Sequence, residues 1–171
     1  MGLINGTVEL KNDYLKWKEM FTAEKEVLKQ LFGNIALSIE HIGSTAVEGL
    51  SAKPIVDIAV GVNNFDDLKN IMDNLKTIYT IKQNEENGEV LLIKEDLEQT
   101  YYLIHVMKTD SKRYKNTIAF RDCLINNSDI KEEYEKLKME LSKQYSCDRK
   151  TYTKSKNDFI ENVLSNYKTN K

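Results

Sequence analysis

The run "IEHIGSTAVEGLSAKPIVDIAV", residues 39–60, constrains the fold more than any other part of the chain. It concentrates two of seven glycines, the single proline, one of two histidines and a Ser-Thr pair in about twenty residues. Ile35, Leu37 and Ile39 alternate with Ala36, Ser38 and Glu40, which predicts a strand running into Gly43. Pro54 lacks a ladder donor and so opens a second strand, residues 55–62. There Val56, Ile58, Val60 and Val62 share one face, and Asp57, Ala59 and Gly61 share the other. Residues 45–50, between the strands, leave room for no more than a turn or two of helix.

The flanking sequence supplies layers to cover such a hairpin. Tyr14, Trp17, Phe21, Leu28 and Leu31 recur at helical spacing, predicting a helix over residues 12–32, capped by Asn12 or Asp13 and ended by Gly33-Asn34. Phe65, Leu68, Ile71 or Met72, Leu75 and Ile78 predict a second helix with Asn64 as its cap. "TIYTIKQNEENGEVLLIKEDLEQTYYLIHVMK" reads as an antiparallel meander turning at Asn87-Gly88, with His105 on the same face of its third strand as Leu103 and Met107. After Ser111 the apolar spacing is helical to the end, through residues 118–125, 130–145 and 159–167. The expected class is α+β, a mixed sheet flanked by helices, in a single domain over residues 1–171 with a strand-containing core to about residue 110 and a C-terminal helical region beyond it.

Hydrophobic residues at 40% and charged residues at 30% fit a folded globular chain. No apolar run reaches spanning length and the first residues lack a secretory pattern, so the expectation is a cytoplasmic protein with no membrane partner. Cys123 and Cys147 have no zinc-type spacing and read as reduced thiols. A net charge of −2 offers no bulk attraction for a nucleic-acid polymer, whereas a small phosphorylated ligand needs only a local cationic pocket.

A strand leading into Gly43, Ser44 and Thr45 and then a short helix would present backbone N–H groups and two hydroxyls to an anion. The same tripeptide also fits a plain turn and cap. Asp57 returns on the next strand beside that corner, where a carboxylate near bound phosphates can hold Mg²⁺; an Asp satisfied by a neighbouring Arg or backbone group is the structural alternative. No GxxxxGK[ST] or GxGxxG order occurs, which removes Walker-type NTPases and Rossmann dehydrogenases.

At these residues the chain resembles the GrpB family, whose members carry a run of the form EHIGSTAVPGLxAKPIIDI. Glu40 to Leu50 and Ala52 to Ile58 match it, with Glu48 in place of its proline. "VELKNDYLKWKEMFTAEKEVL", "YYLIHVMK", "IAFRDCLI" and "YTKSKNDFI" extend the likeness over nearly the whole chain. The resemblance implies a nucleotidyltransferase (polymerase-β-like) fold, with Gly43 and Ser44 on the phosphates of an NTP and Asp57 on Mg²⁺ or Mn²⁺. Family members fused to a dephospho-CoA kinase domain add a link to coenzyme A metabolism. The implied activity is metal-dependent transfer of a nucleotidyl group to a small acceptor. The alternative is a module of the same fold that binds a nucleotide or phosphometabolite without transfer.

Ala59 stands where the resemblance implies a second carboxylate, and His105 where it implies a third. One carboxylate and one imidazole suit Mg²⁺ poorly. Glu40, Glu85, Glu86 and Glu89 are the acids whose positions relative to Asp57 and His105 decide the matter. His41 either contacts substrate or packs at a strand end. Lys53 is close enough in sequence to the corner to meet a phosphate, or is a solvated charge. Arg121 is either a phosphate fork or half of an internal ion pair. Lys156, with Tyr152, is placed to reach the cleft from the C-terminal helices. The candidate site is therefore Asp57 and His105 as catalytic and metal-binding residues, with His41, Gly43, Ser44, Thr45, Lys53, Arg121 and Lys156 on the phosphorylated substrate.

Overall fold

The computed structural model describes residues 2–4, 6–84 and 88–169. In chain order the elements are β1 (Leu3–Ile4), α1 (Tyr14–Phe32), β2 (Ser38–Ile42), β3 (Val56–Val62), α2 (Met72–Lys76), β4 (Thr80–Asn84), β5 (Glu89–Glu95), β6 (Gln99–Lys108), α3 (Lys112–Asn126), α4 (Ser128–Gln144), α5 (Arg149–Lys154) and α6 (Asn157–Thr169). The sheet runs β2-β3-β6-β5-β4, with β1 added against the start of β6. β3 and β6 are parallel, and the other pairs are antiparallel, so the sheet is mixed and the expected α+β class holds.

The alternation predicted for β3 decides what lies on each face. Val56, Ile58, Val60 and Val62 are fully buried against Trp17, Leu28 and Phe32 of α1 and against Leu68, Leu75 and Tyr79. Ile39, Ile104, Val106, Val90 and Leu92 complete this main core from the neighbouring strands. Asp57, Ala59 and Gly61 face the other way, toward the C-terminal helices, where Ala59 packs with Ile42, Met107, Tyr114 and Ile118. The sheet thus separates a dry core from a second layer built by α3 to α6.

Several expected boundaries shift. β2 begins at Ser38, because residues Gly33–Ile35 form a 3₁₀ turn and Leu37 is 60% exposed, outside the predicted alternation. The second helix divides into a 3₁₀ segment, Asp66–Asn70, and α2; Asn64 does cap the segment, accepting from the Asp67 N–H at 3.1 Å. Its bonds from Leu68 to Phe65 and from Ile71 to Leu68 span three residues, which tightens the coil. α1 begins after Asp13 without a side-chain cap and ends at Gly33 with φ 50°. The C-terminal helices are capped as their sequence allows, by Ser111, Asn127 and Asp148. β1 and α5 were not anticipated, being too short to show a period. Of the predicted Asn87-Gly88 turn, Asn87 lies outside the described residues; Gly88 has φ 60°. Both cysteines are free thiols, Cys123 buried and Cys147 exposed. Among the described residues no helix is long and apolar enough to cross a membrane.

Ile58 lies in the centre of the sheet with no exposed surface. Ile58→Ala is expected to lower the unfolding free energy by about 2–5 kcal/mol, seen as a lower urea midpoint; an unchanged midpoint would contradict this account of the core.

Candidate functional site

On the helical side of the sheet lies a cavity of about 370 Å³. Gly43, Ser44, Asp57 and His105 all line it, so the corner after β2 and the acid on β3 open onto one space. Gly43 has φ 68°, and a Cβ at this position would sit 2.7 Å from Asp57 Oδ2. Glycine is required twice over, by its backbone conformation and by the approach of the carboxylate. The corner continues into a single 3₁₀ turn, Ser44–Ala46, whose following N–H groups at Ala46 and Val47 bond back to Gly43 and Ser44. The helical start expected after the corner is thus a single 3₁₀ turn rather than a longer helix. Ser44 and Tyr134 line the same cavity.

Asp57 is paired with an imidazole held from behind. His105 Nε2 lies 3.7 Å from Asp57 Oδ1, and His105 Nδ1 donates to Glu89 Oε2 at 3.0 Å. Arg113 of α3 closes the chain with two bonds to Glu89, each 2.9 Å. Burial opposes a charge on His105, but its contacts with Asp57 and Glu89 prevail and raise its pKa to about 9. Burial would likewise raise Asp57, yet the His105 contact and the charges of Lys53 and Lys156 hold it below the usual carboxylate range. Asp57, His105, Glu89 and Arg113 form a neutral quartet of two carboxylates and two cations.

A second group of cations lines the same cavity. Lys53 precedes β3, Arg149 opens α5, and Lys156 lies at the junction of α5 and α6. Tyr152, 1% exposed, sits between the two lysines, with Lys156 Nζ 4.6 Å and Lys53 Nζ 5.4 Å from its ring centre. Among the described residues no carboxylate lies within 4.0 Å of Lys53, Arg149 or Lys156. Burial chiefly, and then the charge of Arg149, lowers Lys53 to about 8. Burial chiefly, and then Lys53, lowers Lys156 to about 7. Two other cations on the lining are already neutralised. Arg121 pairs with Glu40 and Asp122 at 2.8 Å, and Lys138 with Glu135 at 3.0 Å. The surplus positive charge is that of Lys53, Arg149 and Lys156.

Three of the predicted contacts change role. His41 faces the main core, stacked on Phe21 at 4.7 Å; its Nε2 bonds the Thr45 hydroxyl at 3.0 Å. Burial lowers its pKa to about 4, so it is neutral and does not meet a ligand in this cavity. Thr45 borders the cavity but is 1% exposed and turns its hydroxyl to His41. Arg121 is the internal ion pair of its structural reading, joined also to the His41 carbonyl at 3.0 Å. Of the acids in question, Glu89 backs His105, Glu40 serves Arg121, and Glu85 and Glu86 lie outside the described residues. Arg113 and Arg149 went unread. The spacing of Arg149, Tyr152 and Lys156 along one helical face was the available signal for the latter.

The donor set does not fit Mg²⁺ or Mn²⁺. Among the described residues no group of three His, Cys, Asp or Glu side chains is arranged to hold a metal ion. His105 is cationic with both ring nitrogens engaged, and a protonated imidazole has no lone pair for a metal. Ala59, where a second acid was expected, is fully buried beneath Tyr114 and Ile118. Asp57 is already paired with the His105 imidazolium, 3.7 Å away.

The family described as GrpB protein matches residues 7–166. The chain belongs to the GrpB family. The glutamate-rich protein GrpB of Alkalihalophilus pseudofirmus is 33% identical over 96% of this chain and 98% of its own length. The UPF0157 protein YqkA of Bacillus subtilis is 31% identical over 90% of this chain, which spans 45% of that protein. The crystal structure of conserved protein GrpB from Enterococcus faecalis superposes with a TM-score of 0.79 at 28% identity, covering 88% of this chain and 92% of that one. This GrpB-family chain therefore shares its fold, over 88% of its length, with an experimentally determined relative.

The quartet makes a measurable statement about His105. Its ring should titrate near pH 9 by NMR, and Glu89→Gln should move that titration downward by at least one pH unit. Because the folded-state pKa is raised from 6.5, the stabilisation is fully present below about pH 6.5 and is lost as pH rises through about 9. A His105 resonance titrating near 6.5 in the unaltered protein would sink this reading of the quartet.

Proposed function

We propose that this protein binds a small phosphorylated metabolite in the cavity beside Asp57, without requiring a divalent cation. The observation that carries the reading is the convergence of Lys53, Arg149 and Lys156, all without carboxylate partners among the described residues, on one concave site. Partly buried cations that repel one another gain most when an anion arrives, because the ligand supplies the missing partner charge. A chain of net charge −2 has no general attraction for anions, so the preference is confined to this site. Ser44 borders the same space and offers a hydroxyl, while Asp57 accepts hydrogen bonds from ligand hydroxyl or amino groups.

Nucleotidyl transfer from an NTP is the second reading. It is favoured by one observation, the approach of the Gly43-Ser44 corner to Asp57, which is the juxtaposition a nucleotidyltransferase fold would provide. Against it stand the buried Ala59 and the cationic His105. Pyrophosphate release that depends on NTP and disappears in Asp57→Asn would favour transfer; ligand binding without release under any acceptor mixture would favour the receptor.

Calorimetric titration with ATP, CTP, GTP, UTP and inorganic pyrophosphate should detect binding that survives EDTA. Lys53→Ala, Arg149→Ala and Lys156→Ala should each weaken it roughly tenfold to hundredfold, the worth of one charge-assisted bond. Binding that requires Mg²⁺, or that is indifferent to all three substitutions, would overturn the proposal.

The same charges carry a cost in the empty protein. Lys156→Met should stabilise the ligand-free chain, on the order of 1 kcal/mol after solvent screening, while weakening anion binding as Lys156→Ala does. The sign follows from a folded-state pKa lowered to about 7: the lysine destabilises most below that pH, and the penalty fades as pH rises toward 10.5. Urea denaturation at pH 6 and pH 9 checks this, and a variant less stable than the parent at pH 6 would contradict it.

A further inference from the structure

We infer that the ligand is a phosphate monoester whose carbon group is apolar, with its phosphate at Lys53, Arg149 and Lys156 and its carbon group along the wall made by α3 and α6. This rests on the phosphometabolite reading above and narrows it to one chemical class. A cavity of about 370 Å³ is far larger than a lone phosphate needs, and most of the remaining lining is hydrocarbon. Phe120 and Leu124 face it from successive turns of α3, and Ile160 and Leu164 from successive turns of α6. Leu103 and Met107, flanking His105 on β6, extend this surface across the floor.

The wall is held in place independently of any ligand. Leu124 is 1% exposed and packs with Val47, Leu50 and Tyr134, and Phe120 meets the Tyr134 ring edge-on at 5.2 Å. A fixed apolar wall beside fixed cations recognises an amphipathic anion: the cations orient the head, and covering the partly exposed members of the wall, Leu103, Phe120 and Ile160, removes apolar surface from water. A fully hydrophilic anion would leave that wall wet and gain nothing from it.

The test is a homologous series: inorganic phosphate, then ethyl, butyl and hexyl phosphate, titrated calorimetrically into the 171-residue protein. Each added methylene that reaches the wall should tighten binding by about fourfold, and the heat capacity change should become more negative along the series. Phe120→Asn and Leu164→Asn should flatten the series while leaving inorganic phosphate affinity unchanged. Lys156→Ala should weaken every member alike. Affinity that stays flat along the series in the unaltered protein, with phosphate still bound, overturns the amphipathic class and leaves anion binding standing. No binding of phosphate or of any ester overturns both readings. The series on the unaltered protein decides the matter even where a wall variant does not fold.

Discussion

The imidazolium of His105 is the interaction on which the site depends. It lies on β6, with Asp57 of β3 on one side and Glu89 of β5 on the other, and Glu89 is anchored by Arg113 of α3. Three strands and the helix that covers them are thereby joined through charged groups under one layer of side chains. Buried charges of this kind are tolerated only when each has a counter-charge and hydrogen bonds. The quartet meets that condition internally, which is why Asp57 remains ionised in a half-buried position.

That neutrality sets the character of the rest of the cavity. With Asp57 and Glu89 balanced by His105 and Arg113, and with Arg121 and Lys138 satisfied by other acids, the remaining charge on the lining is positive. Tyr152 places its ring between Lys53 and Lys156, so aromatic packing holds two ammonium groups that would otherwise move apart into solvent. The arrangement leaves like charges close together, repulsion that the proposed anionic ligand would relieve. It is the reverse of a two-metal centre, in which carboxylates accumulate negative charge and cations arrive from solution.

Particular residues show how far the sequence was readable. The alternation through residues 56–62 put Asp57 on the face opposite the core, and the structure keeps it there. The same reasoning failed at Leu37, because a 3₁₀ turn consumes the residues before β2 and the apparent period belongs to no strand. His41 and Asp57 are both polar candidates near one corner in the sequence, His41 for the substrate and Asp57 for a metal. Antiparallel pairing places His41 beside Ile58 and so on the core face, while Asp57 lies beside Ile42 on the cavity face. Glu89 was visible as an acid near a hairpin turn. Its role required the register of two further strand pairs, which sets it opposite Met107 and diagonal to His105.

What the sequence determined by itself was local: element types over most of the chain, the face on which each strand residue lies, and the need for glycine at a corner beside an acid. These follow from the periods of helix and strand and from the sterics of φ, which neighbours within a few residues decide. Tertiary structure alone decided which charges meet. Asp57, Glu89, Arg113, Lys53, Arg149 and Lys156 are scattered between positions 53 and 156 of the chain, and their electrostatics arise from distances that only the folded sheet and helices impose. The sign of the cavity, and the loss of a place for a metal ion, are properties of that assembly because charge interactions depend on separation in space and on burial, not on order along the chain.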